Sequence, residues 1–225
     1  MQRVATFPVA GEIADSRVVG DILYLATYEN SACYRCGAQN RTLVTSFDIA
    51  SPQSMRQVDQ AIFQTNDVAW GVSWKRSIVA TNERMYVGGH AAQLDFSGKQ
   101  KEGIIDVLDI SDPTGKIGKG TQIETAGAVL SRWQMDERDG VLRVISQPGV
   151  GFTANGTGMP SVEMFNIWNT RSLQLMGETK LTLPRQEGLK SVRFDKDRAY
   201  AITFEQRDPL IVIDLKSARA PKQRG

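Results

Sequence analysis

Cys33 and Cys36 stand two residues apart in CYRC, a spacing used by dithiol redox pairs and by one half of a zinc site. A thioredoxin-like pair needs a βαβ setting and a helix N-terminus to lower the thiol pKa. The surrounding ENSACYRCGAQN offers neither. Tetrahedral zinc needs about four ligands, and His90, the sole histidine, is the one residue able to add a third soft donor. A disulfide across a loop tip is the leading reading, with free thiols and metal as alternatives. In an oxidising compartment it would pin an exposed loop. A Ser-His-Asp relay has no base other than His90, whose place beside Gly88-Gly89 reads as a loop residue. Asp136, Glu137 and Asp139 with Gly140 lack the alternating ligand positions of a calcium loop and read as a turn.

Other chemistry is carried by type rather than spacing. Arg17, Arg132 and Arg193 precede or occupy innermost strands and can line a channel and meet an anion; exposed strand-face charge is the plainer account. Trp133, with Trp70, Trp74 and Trp168, can stack on sugars, and blade cores explain tryptophans about as well. The glycine-rich stretch from Gly149 to Gly158 has no Lys-Ser/Thr after it and no helix start, so a phosphate cradle has little support. Asn155-Gly156-Thr157 fits the N-glycosylation pattern. Asp15, Asp136 and Asp195 are the acids an enzyme reading would use. No motif implies a cofactor or a resident metal.

The elements that must position these residues are strands. In GLKSVRFDKDRAYAITFEQRDPLIVIDLKSA, residues 188 to 218, Val192 and Phe194 share one face while Arg193 points away. Asp195-Lys196-Asp197 makes a turn, Tyr200, Ile202 and Phe204 form the next alternating face, and Gln206-Arg207-Asp208-Pro209 breaks it. Leu210 to Leu215 is apolar at five of six positions and is expected to be buried on both faces. The unit recurs. Tyr24, Tyr86, Arg143 and Tyr200 mark equivalent strands at steps of 62, 57 and 57 residues. Phe47-Asp48-Ile49, Leu108-Asp109-Ile110, Phe165-Asn166-Ile167 and Ile213-Asp214-Leu215 mark the strands that follow.

An all-strand repeat of this length predicts an all-β fold, a β-propeller of four-stranded antiparallel blades with about four blades present, because one small sheet cannot bury both faces alone. The blades are expected at roughly 12–63, 72–124, 130–183 and 189–225. Three long hairpin insertions, Tyr28 to Arg41, His90 to Gly103 and Gln147 to Pro160, fall at the same hairpin of the first three repeats and should share one rim. The fourth repeat has a short connection instead and is expected to stop at Ala220-Pro221-Lys222-Gln223-Arg224-Gly225, before its own outer strand. The segment 3–9 either supplies that strand and closes a small ring, or the chain is a segment of a larger propeller, which is the reading favoured; strand edges left unpaired would then be sticky.

The 225 residues are 41% hydrophobic and 23% charged, with a net charge of +2. This balance makes no electrostatic case for nucleic acid. No stretch approaches the roughly eighteen apolar residues that span a bilayer, and the first residues hold no signal-peptide core.

GEIADSRVVGDILYL (Gly11 to Leu25), WQMDERDGVLRVI (Trp133 to Ile145) and Leu189 to Leu215, with its RAYAITFEQRDPLIVIDL core, resemble the bacterial and archaeal secreted β-propeller family, described as a C-terminal β-propeller domain distantly related to WD40 repeats. The resemblance implies an extracytoplasmic protein, secreted or in the cell envelope, with further propeller sequence on both sides; it carries no catalytic residues across. The reading that follows is a non-catalytic scaffold binding a protein or small ligand through rim loops and the channel mouth, with Arg17, Arg132, Arg193 and Trp133 as binding candidates. The alternatives are a hydrolase or lyase with channel-facing carboxylates, and a structural module for a partner domain.

Overall fold

The computed structural model describes residues 6–29, 41–64, 75–90, 102–149, 158–183, 188–203 and 210–224. They form four antiparallel four-stranded sheets, each made from consecutive strands. Sheet one holds β1 (Glu12–Val19), β2 (Ile22–Glu29), β3 (Arg41–Asp48) and β4 (Arg56–Gln64). Sheet two holds β5 (Ser77–Ala80), β6 (Arg84–His90), β7 (Gly103–Asp109) and β8 (Gly118–Thr125). In sheet three, β9 (Met135–Arg138), β10 (Val141–Ser146), β11 (Ser161–Asn169) and β12 (Ser172–Lys180) follow a short 3-10 turn, Arg132–Gln134. Sheet four is β13 (Leu189–Asp195), β14 (Arg198–Thr203), β15 (Leu210–Asp214) and β16 (Lys222–Gln223). The predicted all-β propeller of about four blades is the architecture found.

The two sequence markers are register equivalents. Ile22, Arg84, Val141 and Arg198 pair with Asp48, Asp109, Asn166 and Asp214 in turn. One residue later, the N–H groups of Ile49, Ile110, Ile167 and Leu215 donate to the carbonyls of Asp21, Glu83, Gly140 and Asp197. The first hairpin of sheet three turns through Asp139 and Gly140 at φ 51° and 74°, the paired left-handed geometry that matches strand twist.

Three apolar cores lie between successive sheets. Tyr24, Ala26 and Val44 meet Ile78, Met85 and Val87. Tyr86, Ile105 and Val107 meet Met135, Leu142 and Val144. Ile145, Val162 and Met164 meet Val192, Ala201 and Ile213. Alternation explains this arrangement: Met85 and Val87 face back while Tyr86 faces forward, so sheets two and three are buried on both faces.

Two expectations are corrected. The fourth repeat does not stop short of its outer strand: Lys222–Gln223 pairs with Ile213 and Asp214. Among residues 6–9 none is in a strand; Pro8 has no N–H for a ladder, and the Phe7 ring packs on Phe47 with centroids 5.2 Å apart. The strand Leu210–Asp214 is buried on one face alone. Ile211 and Ile213 are inside, whereas Leu210 is 52% exposed and Val212 is half-buried, because no described sheet lies on that side.

Candidate functional site

The sheets have unlike ends. Tight first hairpins such as Asp139-Gly140 lie at one end. The second-to-third-strand connections leave from Glu29, His90, Ser146 and Thr203 at the other, as do the links from β4 to β5 and from β12 to β13. Asp15 and Arg17 lie in the middle of β1, opposite Ala26 and Tyr24, and Arg132 and Trp133 lie in the turn before β9.

Two local devices bring them together. The β1 register shifts between Ile13 and Asp15, which puts Asp15 opposite Ala26 and Arg17 opposite Tyr24, on the face towards sheet two. The 3-10 turn is a capping box: Ser131 Oγ accepts from the Trp133 N–H at 3.4 Å, and Gln134 Oε1 accepts from the Ser131 N–H at 3.0 Å. Buried Gln134 also donates from Nε2 to the Ile145 carbonyl at 2.9 Å. The turn is thereby tied to β10, and Arg132 and Trp133 project from a fixed base.

Asp15 is the hub. Arg17 grips it with Nη1 at 2.9 Å and Nη2 at 3.3 Å, and Arg132 Nη1 reaches the same Oδ1 at 3.3 Å. The Arg132 guanidinium sits 4.7 Å from the centre of the Trp133 ring, a cation–π contact. Two cations share one carboxylate. Burial weakens Arg17's hold on its proton and Arg132's charge weakens it further, while Asp15 works against both. The Arg132 side chain is 40% exposed and Trp133 is 59% exposed, so one cation and one aromatic face are open to a ligand.

The other candidates lie elsewhere. Arg193 is exposed on β13 opposite Tyr200, the repeat position of Arg17, yet no hydrogen bond or ion pair among the described residues ties it to the cluster. Asp136 is bound by Arg143 through Nη2 and, at 2.8 Å, through Nε. Asp195 is exposed at the end of β13. Two of the three acids named for the enzyme reading are therefore held by arginines. His90 closes β6, buried and opposite Gly103, and so is a strand residue rather than a loop one. Trp168 is 70% exposed at the end of β11. Cys33, Cys36, Trp70, Trp74 and Asn155 lie outside the described residues. Among the described residues no group of three or more His, Cys, Asp or Glu side chains is placed to hold a metal, and no helix is long and apolar enough to cross a membrane.

Sequence reasoning named Asp15 as an acid and missed it as the hub that pairs both arginines. The readable signal was the Ser131-x-x-Gln134 box, which marks a fixed turn. It also missed the forward links between sheets. Tyr86 Oη donates to Glu137 at 2.6 Å and Arg84 Nη2 donates to Glu137 at 2.7 Å; within sheet two, a buried Arg76 pairs with Asp106 at 2.5 Å.

A family model described as "Beta propeller domain" matches residues 36–225. The chain is 33% identical over 143 residues to the uncharacterized protein MJ1554 of Methanocaldococcus jannaschii, a match covering 62% of this chain and 20% of that protein. It is 29% identical over 105 residues to an uncharacterized protein of Archaeoglobus fulgidus, covering 44% of this chain and 14% of the other. The matched regions are thus a small part of those relatives' length. Among solved structures, the major allergen Mala s 1 of Malassezia sympodialis has a TM-score of 0.49 at 12% identity, covering 95% of this chain and 62% of that one. A Trypanosoma rangeli sialidase mutant displaying trans-sialidase activity has a TM-score of 0.47 at 12% identity, covering 94% and 37%.

Proposed function

We propose that this chain, which belongs to the beta propeller domain family, is a non-catalytic binding propeller that takes an anionic group at the Arg17–Arg132–Trp133 cluster. The observation that carries the reading is the charge count at Asp15: two guanidinium groups share one carboxylate, and the outer one is exposed and stacked on an open indole. A carboxylate or phosphate at the exposed Arg132 finds unsatisfied donors in a planar fork, with a ring face beside them for the rest of the ligand. The same reading sets the protein outside the cytoplasm, secreted or in the cell envelope, following its resemblance to secreted propellers.

The test is calorimetry with tryptophan fluorescence on the 225-residue chain, titrated with citrate, glucuronate and inorganic phosphate, and with glucose as the neutral control. Saturable binding of at least one anion, with a Kd of about 1 mM or tighter, and none of glucose is expected. Arg132→Glu should weaken it at least tenfold, whereas Arg224→Glu, an equal charge change on sheet four, should leave it intact. Equal weakening by both variants would reduce the effect to net charge, and no anion binding would remove the reading.

A further inference from the structure

Two of the four second strands carry an arginine and a tyrosine two residues apart, Arg84 with Tyr86 on β6 and Arg198 with Tyr200 on β14. Sheets one and three have Ile22 with Tyr24 and Val141 with Arg143 at these positions. The register around the two pairs is the same. Arg84 stands opposite Asp109 and Tyr86 opposite Val107; Arg198 stands opposite Asp214 and Tyr200 opposite Val212. Residues two apart on a strand share a face, as do residues directly opposite each other, so both sheets present Arg, Tyr, Val and Asp in one arrangement.

In sheet two this frame is a carboxylate clamp. Glu137 accepts from Arg84 Nη2 on Oε1 at 2.7 Å and from Arg84 Nε on Oε2 at 3.2 Å, and the Tyr86 hydroxyl donates to Oε2 at 2.6 Å. A planar fork on both oxygens is a strong and directional hold on a carboxylate. In sheet four the same donors are free: among the described residues neither the Arg198 nor the Tyr200 side chain makes a hydrogen bond or ion pair. Asp214 does not occupy Arg198, because Arg224 takes it through Nε at 3.2 Å and Nη2 at 2.9 Å. Arg198, Val212, Asp214 and Arg224 line a cavity of about 400 Å³, within the range of about 300–1,000 Å³ usual for small-molecule sites. Charge and surface fit one kind of ligand. Among the described residues this face carries Arg193, Arg198, Lys222 and Arg224 against Asp195 and Asp214, an excess of positive charge. Beside Tyr200 and Val212 it offers apolar surface, with Ile202 at 37% and Leu210 at 52% exposure.

We propose that Arg198 and Tyr200 form a binding site for a small monocarboxylate with an apolar body, separate from the Arg17–Arg132–Trp133 cluster. The carboxylate takes the place that Glu137 holds on Arg84 and Tyr86, and the body lies over Val212 and Ile202, where covering apolar surface adds to the affinity. The test is calorimetry on the 225-residue chain, titrated with phenylbutyrate and with its uncharged amide. Saturable binding of the acid with a Kd of about 1 mM or tighter is expected, and the amide should bind at least about tenfold more weakly. Arg198→Gln should weaken the acid at least about tenfold, and Tyr200→Phe about tenfold, for one hydrogen bond to a charged group. Arg198 is exposed and Tyr200 half-buried, and circular dichroism checks the fold of each variant. Arg132→Glu should leave this binding intact, which distinguishes the site from the cluster on sheets one and three. Equal binding of acid and amide would reduce the site to an apolar patch and overturn the proposal. No binding, or binding that both Arg198→Gln and Tyr200→Phe leave unchanged, would overturn it as well, and a loss caused by Arg132→Glu alone would place the ligand at the other cluster.

Discussion

At the scale of single residues, the groups that define this molecule are polar side chains used as links between sheets. Tyr86 is fully buried, and burial first, then its hydrogen bond to Glu137, holds its phenol far above the ordinary value. A phenol whose folded pKa is raised stabilises the fold fully below its unfolded pKa of about 10 and loses that contribution as pH rises past it. Thermal melts should therefore show stability falling from about pH 10 upward. Tyr86→Phe should cost about 1.5–3 kcal/mol at neutral pH, for one hydrogen bond to a charged acceptor, and should flatten the alkaline fall. An unchanged alkaline slope in Tyr86→Phe would assign the fall to other groups, of which Tyr24, also raised chiefly by burial, is the next to replace. Acid acts with the opposite sign. Asp109 is lowered by its hydrogen bonds from Ser111, so its contribution is present above the usual carboxylate range and is lost as pH falls below it.

At the scale of elements, the straps between sheets depend on two close approaches. A Cβ at Gly120 would stand 2.2 Å from the Thr170 carbonyl oxygen, and one at Gly177 would stand 2.5 Å from that of Ala218. Both obstacles are backbone and cannot step aside by a rotamer change. Gly120→Ala should cost about 1–3 kcal/mol, the range for overpacking, read as a shift in the urea midpoint with little change in m-value. Gly20→Asn is the contrast, because nothing lies within 4 Å of that site and Asn tolerates its φ of 56°; it should shift the midpoint far less.

The same elements show what could be read beforehand. The alternation around Tyr24, Tyr86, Arg143 and Tyr200, and the Asp48, Asp109, Asn166 and Asp214 markers, were legible because strand register repeats with the sequence. The outer strand Lys222–Gln223 was not, since two polar residues carry no period. Nor was the Arg17–Arg132 meeting. Those residues are far apart in the chain, and it is a capped 3-10 turn tied to β10, not repeat position, that brings Arg132 to Asp15. Arg193 shares the repeat position of Arg17 and is left out of the cluster.

At the scale of the whole molecule, four sheets are coupled in series through three apolar cores. Such an array resembles a repeat protein, where stability is a sum of unit terms and nearest-neighbour terms. Among the described residues, sheets two and three each share two apolar cores with neighbouring sheets, and sheets one and four each share one. Opening an end sheet breaks one boundary, while opening a middle sheet breaks two, so opening free energies should rise towards the middle. The second strands make a fair comparison, because each is hydrogen-bonded to a neighbour on both sides in its own sheet. Hydrogen exchange on a dilute sample should therefore find the amides of β6 and β10 slower than those of β2 and β14. Equal protection of all four strands would mean that the sheets open as one unit, and the series description would fail.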